Sequence, residues 1–472
     1  MTRCILSIVA MLNLCAAGVV RADEGSSDAA FRRAINGEKS DVRSFELTPT
    51  APPVPALKYQ LLYDNLAERR PGNAAILYLD AVLMMGADAK EKAGQAMELR
   101  ASKNKQAFNQ LADSLVLPNV FQELELAAQR DECDWQPPFR EMGAQTLLPH
   151  LEPMVHGLAG LVAVRASRQI DQGDFTGALA TLRLGYEMAD KIGHEPVLVS
   201  ALVSLKTTAM MDNCLAQLMS RPESPNLYWA LAEYPSRHVI LRRAFDGERH
   251  FIAASVPLMA KKVVGEKLTA DDWRAVLKSV AELVSDFEGS AQAPDPVEST
   301  SPSVLERARH EYANANRLTA DEVARLDPAI VLGTYYFDQY NAAADERFKL
   351  RGLAYPVQLA MSDAHAARLA SLIEEQPANP FLKTLPALQK CVLPFARADR
   401  ELAALTAVEA LRSYAAAHDG KLPARLDDVT ETPVPENPIT GRPFEYRVEG
   451  ETAAIADSQS ETTLTYTVRI RK

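Results

Sequence analysis

In the stretch RRAFDGERHFI, positions 242–252, Asp246 and His250 stand four residues apart with Glu248 between them. Residues at i and i+4 share a helix face, the spacing at which a carboxylate orients an imidazole or both groups take a metal ion. Glu248 adds a second acid, and hydrolysis of a glycan-like envelope polymer needs two carboxylates across one cleft. Asp246, Glu248 and His250 are therefore the catalytic candidates. Arg242, Arg243 and Arg249 flank them, and with these arginines the stretch reads more simply as a solvated helix face of i,i+3 and i,i+4 ion pairs. The simpler reading is preferred. Glu306 and His310 repeat the spacing and take the same reading.

Motif-borne chemistry is absent from the sequence. It contains no HExxH, CxxC or CxxCH, no GxSxG, no P-loop and no GxGxxG, so the motif-bearing zinc proteases, c-type cytochromes, serine hydrolases and nucleotide-binding enzymes are set aside. No cofactor and no metal ligand set is predicted. Two aromatic clusters, Tyr228, Trp229 and Tyr234, and Tyr335, Tyr336, Phe337 and Tyr340, have the surface to grip a sugar or peptide. Their helical spacing favours core packing instead.

The chain has 472 residues, 47% of them hydrophobic and 24% charged, enough to bury a sizeable core. A net charge of -11 argues against nucleic acid as the main partner, because phosphate binding wants a basic surface. At the amino terminus, Arg3, the apolar run Cys4 to Val20 and the small residues before Asp23 have the layout of an export signal. Cleavage is expected between Ala22 and Asp23, which predicts a periplasmic or extracellular mature protein. No later segment approaches the roughly twenty apolar residues of a membrane span. Loss of Cys4 and Cys15 with the signal leaves Cys133, Cys214 and Cys391. Export permits one disulfide, for which Cys133 and Cys214 are the candidate pair; buried free thiols are the commoner fate of isolated cysteines in a helical core.

The elements that position these residues follow from periodicity. After the signal (1–22), residues 23–56 read as an extended, proline-rich arm. A helical hairpin domain is predicted over 57–287. In it, NAAILYLDAVLMMG starts at an Asn73 cap and stops near Gly86, and three helices broken at Gly173 and Gly193 fold back on one another through short connections. The Gly173 to Gly193 segment looks like the first helix of a tetratricopeptide repeat, but nothing recurs at a period of about 34 residues. Thr269 with Asp272 and Thr319 with Glu322 read as capping boxes, and Trp273, Val276, Leu277, Val280, Val284 and Phe287 as a buried stripe. Residues 288–303 are a polar loop or linker. A second helical region covers 304–420, with its last stripe, Phe395 to Tyr414, ending at Asp419-Gly420. Residues 421–472 turn to strands, in which Leu464, Tyr466, Val468 and Ile470 alternate. The predicted fold is mainly α, stacked antiparallel helical hairpins, TPR-like in part, closed by a small C-terminal antiparallel β-meander.

The run YAAAHDGKLPARLDDV followed by NPITGRPFEYRV resembles the carboxy-terminal half of type II secretion pseudopilins over about the last seventy residues. A pilin-like subunit needs an apolar assembly helix directly after a Gly-Phe processing site, which this amino terminus lacks. Over more of its length, including PALKYQLL, PGNAAILY and SPNLYWALAEYP, the chain is similar to uncharacterised exported helical proteins of planctomycete bacteria. That resemblance implies an envelope location and a helical fold, and no reaction. The expectation is an exported binding or scaffolding protein with a protein or peptide partner; the alternative is a carboxylate-dependent hydrolase built on Asp246 and Glu248.

Overall fold

The computed structural model describes residues 40–471, apart from 64, 137–150, 152, 251, 253–255, 289–292, 386–387, 459 and 461. The expected signal segment and the expected Ala22–Asp23 junction lie outside the described residues, as does the side chain of Phe287.

The chain enters through β1 (Ser40–Leu47) and β2 (Arg70–Asn73), then α1 (Ala74–Ala101), α2 (Lys105–Asp113), α3 (Pro118–Ala128) and β3 (Arg130–Glu132). Asn73 caps α1 by accepting the amide of Ala75. The expected stop at Gly86 is a break instead: Gly86 adopts φ 69°, ψ 170° and the helix resumes beyond it. Glycine tolerates that backbone without the Cβ clash that would block other residues. A π-turn (Met154–Ala159) leads into α4 (Gly160–Gln172), α5 (Phe175–Ile192) and α6 (Leu198–Met219). Gly173 ends α4 at φ 79°, and Asp174 caps α5 through the amide of Gly177. These three helices pack in succession as the predicted hairpins. Gly185 brings α5 close to α6, since a Cβ there would lie 2.2 Å from Sδ of Met211.

Next come α7 (Tyr228–Ala232), α8 (His238–Glu248), α9 (Met259–Val263), α10 (Ala270–Glu288), α11 (Pro302–Asn316), α12 (Ala320–Ala324), α13 (Pro328–Phe348), α14 (Tyr355–Glu375) and α15 (Leu388–Ala417). Both capping boxes form: Thr269 and Asp272, and Thr319 and Glu322, exchange side-chain to backbone bonds. Trp273, Val276, Leu277, Val280 and Val284 are buried, with the indole of Trp273 packed on Gly333 of α13. Helices on both sides of 288–303 share one apolar core, so this stretch is a loop on a common body. Thr300 fastens it there through a 2.7 Å bond to the Tyr336 hydroxyl.

The carboxy end makes β4 (Glu445–Glu449), β5 (Thr452–Asp457) and β6 (Thr463–Ile470), the predicted antiparallel meander. The sheet has a fourth strand. β1 lies parallel to β6, giving the order β1-β6-β5-β4, so part of the expected amino-terminal arm is sheet. Phe45 and Leu47 join Ile455, Leu464, Tyr466, Val468 and Ile470 on the buried face, and β6 packs against α15.

Two apolar cores result. One gathers α1 to α7, the sheet and the second half of α15; the other gathers α8 to α14 and the first half of α15. The helices α6 and α15 run through both, with Leu202 and Leu205 in one core and Met211 and Leu215 in the other, and likewise Phe395 against Leu405. Among the described residues no helix is long and apolar enough to cross a membrane.

Candidate functional site

The three catalytic candidates do not share a face. Asp246 is exposed at the end of α8 and is ion-paired to Arg351. His250 lies beyond the last helical turn, exposed, so the i,i+4 geometry is not realised. Arg249 pairs with Asp345 at 2.7 Å. Glu248 points the other way. Its Oε1 accepts the amide of Leu198 at 2.8 Å, and Val197, the cap residue of α6, offers no side-chain bond. Gly247 makes this approach feasible: a Cβ at 247 would fall 1.4 Å from the carbonyl oxygen of Pro196. Although Glu248 as a residue is only half-buried, its carboxyl is desolvated without a cation beside it, and burial pushes it up to about 7 against the opposing Leu198 amide bond. Glu248 thus acts as a helix cap. His310 sits exposed beside Asn314.

The densest polar chemistry lies where the two cores meet. Asp212 of α6 receives the Tyr186 hydroxyl at 2.8 Å and Nη2 of Arg237 at 2.7 Å. Asp399 of α15 receives the Arg237 amide at 2.9 Å and the Tyr355 hydroxyl at 3.0 Å. The Arg237 side chain is 1% exposed, and its guanidinium also lies over the Tyr234 ring. Burial works to lower the Arg237 pKa, but Asp212 and Asp399 outweigh it and hold the pKa above the ordinary arginine value. Burial likewise raises Asp212, opposed by Arg237 and by the Tyr186 hydroxyl. Two residues along α15, Glu401 is ion-paired to Arg43 of β1, and burial pushes its carboxyl up to about 7 despite that cation. Tyr466 of β6 donates to Asp41, completing a polar seam from the sheet to α14.

No family model, curated protein or solved structure matches the chain.

What the seam can do is set by its enclosure. Asp212, Arg237 and Asp399 bind one another, so their bonding capacity goes into joining α5, α6, α14, α15 and the start of α8. Removing Arg237 would strand Asp212 and Asp399 as buried, uncompensated carboxylates, so the shared cation ties the register of these helices together. A second buried pair, Glu409 with Arg412, does the same between α15 and the loop before α7: Arg412 donates to the carbonyls of Ser224, Pro225 and Thr48. Burial raises Glu409 to about 7, with Arg412 opposing.

The aromatic clusters are core. Tyr228, Tyr335, Tyr336 and Tyr340 are buried, Tyr234 tilts against Tyr186, and Phe337 meets Phe381 edge-on. The candidate Cys133–Cys214 disulfide is not formed. Cys133, Cys214 and Cys391 are reduced thiols outside any disulfide, and Cys214 is buried on α6 beside Ser167 and the Ala163 carbonyl. Among the described residues no group of three or more His, Cys, Asp or Glu is placed to hold a metal ion.

Sequence reasoning missed Asp212, Arg237, Asp399, Glu401 and Arg43 because they come from separate elements. A faint signal existed. Asp212 interrupts the apolar run of α6, and Glu409 with Arg412 interrupts that of α15, each on a helix whose other positions are predominantly buried. A charge on such a face needs a partner from elsewhere in the fold.

Proposed function

We propose that the protein is an exported binding or scaffolding module of the cell envelope that engages an amphipathic segment of a protein partner on the outer face of α1. One observation carries this reading. Ile76, Leu79 and Leu83 follow one another at i, i+3 and i+7 with Met84 beside them, and they are 62%, 41%, 79% and 51% exposed. The opposite face of the same helix, Tyr78, Ala81 and Met85, is buried. A helix apolar on both sides has a second surface to cover. Fully burying a leucine, isoleucine or methionine is worth about 1.5–3 kcal/mol, so these four side chains form a patch that a complementary apolar helix face would stabilise on contact. The envelope location rests on the export-signal layout of residues 1–22. The hydrolase alternative finds less support, since Asp246 is engaged by Arg351 and Glu248 by the Leu198 amide.

The test is site-specific photo-crosslinking in living cells. A crosslinking residue at position 83 should yield a discrete protein adduct that Leu79→Glu abolishes, while the same residue at Lys278, on an exposed polar position, yields none. Failure to form an adduct at 83, or an adduct indifferent to Leu79→Glu, overturns the assignment.

A further inference from the structure

The carboxy end of α15 and the irregular segment 428–432 flank a partly open pocket of about 220 Å³, with His418, Asp428 and Glu431 solvent-exposed along it, that the polar seam and the α1 surface do not use. Its lining is unusual in sign. Asp428 and Glu431 contribute carboxylates, and no lysine or arginine is among the lining residues. The last-turn carbonyls of α15 add the negative end of a helix dipole, equivalent to roughly half a charge. Tyr414 and His418 stack at 3.8 Å with their planes 9° apart, forming a two-ring wall. Nδ1 of His418 lies 2.8 Å from the Tyr414 carbonyl oxygen and therefore carries the proton in the neutral ring, which leaves Nε2 as an acceptor. Thr432 also lines the cavity; it is 2% exposed, and its hydroxyl has no hydrogen-bond partner. Buried hydroxyls are rarely left so, and this one marks a place where a bound group completes the bonding.

We propose that this cavity is a binding site for a small organic cation carrying a primary ammonium group. Three features select that chemistry together. The ionic and lone-pair groups are acceptors, which suits a ligand that only donates; an ammonium offers three donors and no acceptor. The charge is negative and uncompensated within the wall, which favours a cation over a neutral polyol. The aromatic pair presents ring surface of the kind that attracts a cation with an alkyl stem. A phosphate or carboxylate ligand could take bonds from the lining hydroxyls but would face the like charges of Asp428 and Glu431. The site is independent of the partner surface on α1, and either can fail without the other.

The experiment is calorimetric titration of the full mature chain with 1,5-diaminopentane, using 1,5-pentanediol as the neutral isostere. The diamine should bind at a single saturable site and the diol should not. Glu431→Gln should weaken the diamine about tenfold, and His418→Phe, which keeps a ring in the stack but removes the Nε2 acceptor, should weaken it several-fold. Glu449→Gln, an exposed acid on β4, should leave the affinity unchanged and so controls for the overall negative charge. Absence of saturable binding overturns the proposal. So does equal binding of the diol, which would make this a polyol pocket, or an equal loss with Glu449→Gln, which would mean bulk charge attraction alone.

Discussion

Glu248→Gln should stabilise the protein near pH 8.5 and leave it almost unchanged near pH 5. The carboxyl caps α6 from a desolvated position, where burial moves it from 4.5 to about 7. Because the folded value lies above the unfolded one, the folded chain keeps a proton that the unfolded chain has already released between about pH 4.5 and 7. The contribution is therefore fully present below about 4.5 and is lost as pH rises through 7. At about 1.4 kcal/mol for each pH unit separating the two values, the loss amounts to roughly 3 kcal/mol, trimmed to roughly 2 by water around the half-exposed stem. Glutamine keeps the oxygen that accepts the Leu198 amide and cannot ionise, so it escapes the loss. Glu248→Ala removes the cap at every pH and should cost about 1 kcal/mol near pH 5. Urea denaturation of the three proteins at both pH values reads these differences directly, and the comparison with wild type cancels the parallel titration of Glu401 and Glu409. If Glu248→Gln shifts stability equally at both pH values, or weakens the protein more at high pH, the reasoning is refuted. The carboxylate would then be ionised in the fold and held by the α6 dipole.

Arg237→Ala leaves Asp212 and Asp399 as buried carboxylates without their shared cation and should destabilise the fold by about 3–5 kcal/mol in the same denaturation assay, whereas Arg351→Ala, which frees only the exposed Asp246, should cost under about 1 kcal/mol. Gly247→Ala should destabilise strongly by pushing α8 off the Pro196 carbonyl, and with the Glu248 contact broken its pH dependence should flatten. If residues 1–22 are removed on export as proposed, the intact mass of the recovered protein should match a chain beginning at Asp23 with three reduced thiols, each adding one alkylating group after unfolding; a mass two hydrogen atoms lower would show a disulfide.

The carboxy-terminal strands and most helices were legible because their signals are local. In α10 the Thr269 box and the apolar stripe after it lie within a few turns, and in β6 the alternation of Leu464 to Ile470 shows which face is buried. β1 was not legible. Its inward face begins with Asp41 and Arg43, its one apolar residue before Phe45, Val42, faces outward at 66% exposure, and its pairing partner lies at the far end of the chain. A strand identified by alternation alone disappears when half its buried face is polar. The Asp246, Glu248, His250 grouping failed for a related reason: spacing gave a common helix face, but the helix ended before His250 and Gly247 turned Glu248 toward α6.

Short-range patterning in the sequence determined that this chain is helical with a pleated tail, because propensity, capping and amphipathic period act within one or two turns. The tertiary structure alone decided which charges meet. Asp212, Arg237 and Asp399 belong to three separate pieces of chain, and nothing in the spacing of one helix specifies the opposite charge that another brings to it. The energy of such a cluster depends on simultaneous burial and mutual distance, quantities that exist only once α6 and α15 have crossed both cores.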